Sequence, residues 1–315
     1  DVVLTADSGS ASSDIEFGSD LNGGSNSLTV DGNLSLTNAS PSVTNLPTLV
    51  FTGSNAQTFS PGGAEFVSVS FESSGEVTVS NILNTSGTVT INGGAVNLTA
   101  GGSLGSVDIQ SGSLSLGSDI TVKGNWSNTA GALTHNDKTV ILDPPALGTI
   151  IISGGTSFYD LSCINAGGET LTINGAITVS NNLILSGSGL ENNLTINGSG
   201  SIDLVNSQIN GSYLSVGPYI EITTGIYTTI NSSALSTVPS GWNILSGELI
   251  YVWSGDTDTD WYNAGNWETG IIPESNGTSI AEIPDLTPVT NRYPVLSSAI
   301  NLSSFTIASN ASLTL

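Results

Sequence analysis

The segment Gly62-Gly63-Ala64-Glu65-Phe66-Val67-Ser68-Val69-Ser70-Phe71 returns 92 residues later as Gly154-Gly155-Thr156-Ser157-Phe158-Tyr159-Asp160-Leu161-Ser162-Cys163. Both copies run on into alternating apolar and hydroxyl residues, Val77-Thr78-Val79 in the first and Leu171-Thr172-Ile173 in the second. A chain that repeats short strands between Gly, Asn and Ser grows by stacking, because each coil buries its apolar row only against the coils on either side.

The reading is β throughout, with no run of helical period long enough to compete. Inward positions come as pairs two residues apart: Leu28 and Val30, Leu34 and Leu36, Val77 and Val79, Val89 and Ile91, Val96 and Leu98, Val107 and Ile109, Leu114 and Leu116, Ile120 and Val122. They continue as Leu171 and Ile173, Ile177 and Val179, Leu183 and Leu185, Leu194 and Ile196, Ile202 and Leu204. Leu171/Ile173 returns as Leu194/Ile196 after 23 residues, room for about three short strands and three corners per coil. A two-layer sandwich would need longer strands and turns every 8 to 12 residues or so. Here the apolar pairs are often closer, and an all-β parallel β-helix is the expected fold. At about 4.8 Å of rise per coil, some dozen coils make a rod on the order of 60 Å long. Corners such as Asn92-Gly93-Gly94, Gly101-Gly102 and Asn174-Gly175 supply the left-handed backbone that such turns demand. Asn174, Asn181, Asn182, Asn192, Asn193 and Asn197 are candidates for side-chain amide ladders or for simple turn residues.

Texture changes near residue 249. Four of the five Trp lie between positions 242 and 267, and five of the eleven Pro between 239 and 294. The expected organisation is a solenoid over 1–248, a Trp- and Pro-rich junction over 249–298, and a further solenoid coil beginning at 299–315.

Charge excludes some partners. The 26 acidic residues face three basic ones, Lys123, Lys138 and Arg292, for a formal charge of −23. Such a chain does not neutralise a phosphate backbone, so nucleic acid is excluded, and an anionic membrane surface repels it. No run of 18 apolar residues offers a spanning helix, and no membrane insertion is expected. The single cysteine, Cys163, forms no intrachain disulfide and falls on an inward position, where it reads as a small buried hydrophobe. The chain begins at Asp1 without an initiator Met or signal peptide, and Leu313-Thr314-Leu315 reads as strand; the expectation is a segment of a longer protein.

Tyr251-Val252-Trp253-Ser254-Gly255, Asp260-Trp261-Tyr262-Asn263, Asn266-Trp267, Ile272-Pro273, Tyr293-Pro294-Val295 and Leu302-Ser303-Ser304-Phe305-Thr306-Ile307 together resemble a module recurrent in very large secreted surface proteins of the Bacteroidota type. Gly124-Asn125-Trp126-Ser127-Asn128, and Gln57-Thr58-Phe59 leading to Phe66, are similar to the coil repeats of those proteins. The resemblance implies an externally displayed adhesin or fibre segment of the kind exported by the type IX route. No C-terminal sorting domain is present in the sequence, so the route rests on the analogy alone.

Three carboxylates at alternate positions, Asp256, Asp258 and Asp260, have the spacing of calcium loops but lack the sixth-position Gly and distal Glu of an EF-hand. They read as a Ca²⁺ loop or as a solvated acidic turn; no cofactor is otherwise required. Trp253, Trp261 and Trp267, with Tyr262, offer a stacking platform for sugar rings or the core of the junction, which has few other ways to bury area. The core reading is preferred. A carbohydrate-active β-helix needs a base with a cation, or carboxylates clustered on one face. His135 sits in the polar turn His135-Asn136-Asp137-Lys138, and Asp14, Glu16 and Asp20 are close only in sequence. Asp203 and Glu221 with Tyr213 or Tyr219 are the set that would favour such an enzyme if they met in a groove. The expected function is therefore a non-enzymatic, extracellular, cell-surface stalk. Its partners are adjacent modules of a long chain or other copies end to end, and surface polysaccharide; a carbohydrate-active or carbohydrate-binding β-helix is the alternative.

Overall fold

The computed structural model describes residues 2–4, 15–17, 21–23, 27–37, 42–164, 168–189, 192–205, 208–230, 232–236, 238–244, 250–268, 272–273, 275, 279–286 and 292–315. Parallel strands stack as a β-solenoid of about 12 turns. The only helical element among the described residues is one 3₁₀ turn, Ala264–Asn266, and no helix is long and apolar enough to cross a membrane. Two compact units divide between Ile244 and Leu245.

In the first unit the described strands form a 17-stranded and a 12-stranded sheet and a two-stranded one of Leu21–Asn22 with Val43–Thr44, and every strand pairing is parallel among the described residues. One face runs through Leu28–Val30, Leu49–Phe51 and Val69–Phe71 to the start of Thr88–Leu98, with Leu28 opposite Leu49, Leu49 opposite Val69 and Val69 opposite Val89. A second face stacks Leu34–Leu36, Gln57–Ser60 and Val77–Val79 under the far half of Thr88–Leu98. The third sheet climbs through Leu83–Thr85, Gly102–Leu104, Ile120–Val122, Thr139–Leu142, Thr156–Ile164 and Ala176–Ser186. Three strand segments per coil are therefore present, as expected.

Coil length varies. The Ser60 and Ser80 hydroxyls meet at 2.7 Å across 20 residues, Asn125 N donates to Ser106 Oγ across 19, and Ile151 N reaches Asn125 Oδ1 across 26. The longer step accommodates a loop whose Pro145, Ala146 and Leu147 are exposed, and the register inside is preserved: Trp126 still lies opposite Ile152.

All thirteen inward pairs are buried, none more than 4% exposed. They belong to one continuous core, to which Phe51, Phe59, Phe66 and Phe71 contribute rings 5.0–5.4 Å apart. Several polar side chains inside this core are paired. Trp126 Nε1 donates to Thr156 Oγ1 at 3.0 Å, and Gln57 Nε2 donates to Gly32 O at 2.6 Å while its Oε1 accepts from Ser73 Oγ. An unpaired buried donor costs about 1–3 kcal/mol, so these side chains sit only where a corner carbonyl or hydroxyl answers them.

Corners demand glycine where coils touch. Gly154 has φ 77°, and a Cβ there would run into the Asn128 carbonyl; one at Gly175, a coil later, would strike the Gly154 carbonyl. Among the Asn residues named above, Asn197 Oδ1 accepts from the N–H of Gly198, and Asn193 Oδ1 is buried without a partner among the described residues. Asn181 Nδ2 and Asn182 N both donate to Asp160 Oδ1, and the side-chain amide pair that does form across coils is Asn45 to Asn22 at 3.2 Å.

Two readings shift in detail. The two repeat copies are offset on the coil: Phe66 belongs to the ladder that passes through Leu83–Thr85 and Thr139–Leu142 to Asp160–Ser162 beside Cys163, whereas Phe158 lies one strand segment earlier, opposite Val179, and Phe71 lies on the first face. The chain turns a corner after Phe66, and Thr156–Ile164 likewise breaks register between Phe158 and Asp160, so that its two halves occupy successive segments of the coil. Strands expected as separate short pieces also fuse. Val89/Ile91 and Val96/Leu98 are halves of the single strand Thr88–Leu98, whose register shifts on either side of Asn92 as the chain bends through Asn92-Gly93-Gly94.

The second unit stacks Ile250–Val252, Ile280–Ile283 and Ser304–Ile307 in a three-stranded parallel sheet. A second, shorter ladder of parallel bridges joins Asp260 to Val295 and Val295 to Thr314. Residues 299–315 pack inside this unit, with the Phe305 ring 5.9 Å from Trp261.

Candidate functional site

The Trp-rich segment folds around a single amide. Asn266 is fully buried. Its Oδ1 accepts from the backbone N–H of Thr257 at 2.9 Å and of Asp258 at 2.8 Å, and its Nδ2 donates to Asp258 Oδ1 at 2.6 Å and Asp260 O at 2.9 Å. All four hydrogen-bonding positions of the side chain are used, and all four partners lie in the acidic loop. Asn263 completes the arrangement: its Nδ2 donates to Asp258 Oδ2 at 2.7 Å, and its Oδ1 caps the 3₁₀ turn by accepting from Gly265 N.

The carboxylates of Asp256, Asp258 and Asp260 do not converge on a common point. Asp258 is spent on Asn266, Asn263 and the Asp260 N–H, and Asp260 Oδ1 accepts from Tyr262 N at 3.0 Å. At Asp256 the contact is through its backbone carbonyl, which accepts from Arg292 at 2.8 Å. Among the described residues no three His, Cys, Asp or Glu are grouped as metal ligands. The donor set therefore fits a calcium site poorly, since a hard cation asks for six or more oxygens around one point. The hydrogen bonds from Asn266 and then Asn263 hold the Asp258 carboxyl below the usual carboxylate range, with Arg292 adding to the effect.

Trp253, Trp261 and Trp267 lie in the core of the second unit, as the preferred of their two sequence readings has it. All three indoles are buried, with Trp253 and Trp261 stacked at 6.4 Å and Trp267 edge-on to both at 5.1 and 4.6 Å, as the centre of the second unit's core with Tyr251, Ala281 and Ile283. Trp253 Nε1 donates to Arg292 O and Trp267 Nε1 to Trp261 O, which fixes the ring orientations. Stacking on a sugar requires an open ring face, and here those faces are covered by one another.

On the solenoid, His135 lies in the expected polar turn, where Asn136 and Asp137 adopt positive φ and His135 Nδ1 accepts from Asp137 N. Its ring packs 5.5 Å from Tyr159. Asp203 and Glu221 point outward from adjacent strands: Ser201 pairs with Glu221, and Asp203 stands two residues along the same face. Tyr219 is exposed at the corner just before Glu221, and Tyr213 adopts φ 53° in another turn. Asp14 and Asp20 lie outside the described residues, as does the side chain of Glu16. Cys163 is fully buried, and burial first, then Glu169 and Asp143, pushes its thiol up to about 12.

What the sequence reading missed is the role of Asn266 and Arg292 as organisers of the acidic loop. The pattern Asn-x-x-Asn between two Trp residues, beginning three positions after the last Asp of the run, carried that signal. No family model, curated protein or solved structure matches this chain.

Proposed function

We propose that this chain is a non-enzymatic, load-bearing segment of an extracellular adhesin or surface filament, of the Bacteroidota type that its Trp-rich module resembles. The observation that carries this reading is the uninterrupted parallel ladder, whose single core runs from Leu21 to Trp242. Backbone hydrogen bonds lie along the stacking direction of such a ladder, so a pull along it is shared by many bonds at every coil. The surface chemistry agrees: outward positions carry Ser, Thr and Asn, and a charge of −23 keeps neighbouring copies dispersed. Neighbouring modules and surface polysaccharide are the partners this role requires, and the cell exterior is its place.

The second reading, a carbohydrate-active β-helix, draws on Asp203 and Glu221. Two residues along one strand and one strand across place their backbones on the order of 8 Å apart, a separation compatible with an acid–base pair. Incubation with neutral and acidic polysaccharides, read by reducing ends and by ultraviolet absorbance of unsaturated products, separates the two. The stalk reading expects no turnover; turnover that disappears in Asp203→Asn or Glu221→Gln overturns it.

A further inference from the structure

The dipeptide Asn-Gly occurs six times in the chain, at Asn22, Asn92, Asn174, Asn197, Asn210 and Asn276. At Asn197 the stack itself demands the glycine, because Gly198 has φ 120° and a Cβ there would run into the Ile173 carbonyl of the coil before. Gly198 thus leaves its backbone nitrogen unshielded by any side chain of its own. That nitrogen is turned onto the residue preceding it. Gly198 N donates to Asn197 Oδ1 at 2.8 Å, a contact that sets the nitrogen against the carboxamide and polarises its carbonyl. Asn197 is exposed and next to last in the strand Leu194–Gly198, so water and base reach it and the peptide beyond it has room to turn. The other described sites are arranged differently. Asn92 Oδ1 accepts from Ser111 Oγ of the next coil at 3.2 Å, and Asn22 Oδ1 accepts from Asn45 at 3.2 Å. Asn174 makes no such contact with Gly175 N among the described residues, and the side chains of Asn210 and Asn276 lie outside them.

We propose that Asn197 is a self-modification site, at which Gly198 N closes on the side chain and converts the asparagine to aspartate and isoaspartate. The reaction balances with water alone. Base takes the Gly198 N–H proton, the N–Cγ bond forms, and the Cγ–Nδ2 bond breaks as Nδ2 takes up a proton and leaves as ammonia. Water then opens the succinimide ring. Attack at Cγ gives aspartate, and attack at the backbone carbonyl carbon of Asn197 gives isoaspartate, whose main chain runs through Cβ and Cγ. Ring closure is favoured where the folded chain already holds the two groups in contact. The consequence falls on the ladder. Asn197 stands opposite Thr172 and Gly198 opposite Ile173. Isoaspartate lengthens the main chain by one carbon between them and adds a carboxylate, so the corner that follows, where Gly200 N donates to Ile173 O at 2.8 Å, falls out of step. The modified coil becomes the point at which the stack loosens with age. This inference does not depend on the stalk reading, since the chemistry uses only the corner of one coil.

The test incubates the full chain at mildly alkaline pH and follows each Asn-Gly peptide by mass spectrometry, with isoaspartate identified by electron-transfer fragmentation. The same chain unfolded in urea is the reference. Asn92, Asn174 and Asn197 all sit in Ile-Asn-Gly, so their rates in urea are expected to be similar. In the folded chain Asn197 is expected to react at least tenfold faster than either of the other two. Hydrogen exchange across Leu194–Gly198 is expected to quicken in the aged protein, and to stay at the fresh rate in Asn197→Gln, whose longer side chain closes a less favourable ring. Asn197→Asp adds the charge without lengthening the main chain and is expected to lie closer to the fresh protein than to the aged one. Equal folded rates at the three sites overturn the proposal. So does an Asn197 that folding protects as strongly as Asn92, or an ageing effect on exchange that persists in Asn197→Gln.

Discussion

Asn266 clasps Asp258 at two points: its Oδ1 accepts from the Asp258 backbone N–H at 2.8 Å, and its Nδ2 donates to Asp258 Oδ1 at 2.6 Å. This contact turns a run of three aspartates from a candidate ion site into a structural loop. A buried amide with every valence satisfied rigidifies its surroundings, and it leaves several groups stranded when removed.

Asn266→Ala is expected to destabilise the second unit by about 3 kcal/mol, since the N–H groups of Thr257 and Asp258 lose their acceptor. Asn266→Asp keeps the shape but removes both Nδ2 donors and sets a carboxylate against Asp258, so it is expected to be no milder. Denaturant titration followed by Trp fluorescence reads this, because Trp253, Trp261 and Trp267 share the unit's core. A shift under 0.5 kcal/mol or so in both variants would contradict the clasp.

Stability of the same unit should depend on pH through Asp258. Hydrogen bonds from Asn266 lower its folded-state pKa, so the contribution is fully present above the unfolded carboxylate range and is lost as pH falls through the folded value. Thermal melting across pH 7 to 3 is expected to show an acid-side loss that is smaller in Asp258→Asn. An identical acid profile in the two proteins would refute the assignment.

At the solenoid corners, Gly175→Ala is expected to cost at least about 1–3 kcal/mol, because its Cβ would meet the Gly154 carbonyl of the coil before it. Gly189 has open space around it, and Gly189→Ala is the control expected to leave stability within about 0.5 kcal/mol. Equal effects in calorimetry would mean that the coils are not in contact at this corner.

Cys163 should resist thiol reagents in the folded protein, since it is fully buried and its thiol is pushed up to about 12. Labelling is expected only on global unfolding, at a rate set by denaturant. Rapid labelling under native conditions would place the residue outside the core.

Much of this fold is written in period-two apolar pairs. Leu28/Val30 through Ile202/Leu204 all face inward because a parallel coil offers an alternating strand only one apolar environment, the interior shared with its neighbours. The face on which a strand lies is less legible. Phe71 and Cys163 occupy matching positions in the repeat yet sit on different sheets, because where the coil bends depends on a few backbone dihedrals that apolar periodicity does not report. The acidic loop was legible as a loop, but alternate aspartates say nothing of where their oxygens point. That depended on Asn266 and Arg292, which reach the loop from 8 and 36 residues away. The indole cluster illustrates the same limit, since core and platform use one composition and differ only in what covers the rings.

The account's central claim is mechanical, and single-molecule pulling on the two ends of the chain tests it most directly. A coil of about 20 residues spans on the order of 70 Å when extended, so stacked coils are expected to hold at fixed length and then peel in steps of roughly that size. Smooth extension at low force, without resolved steps, would contradict a load-bearing ladder.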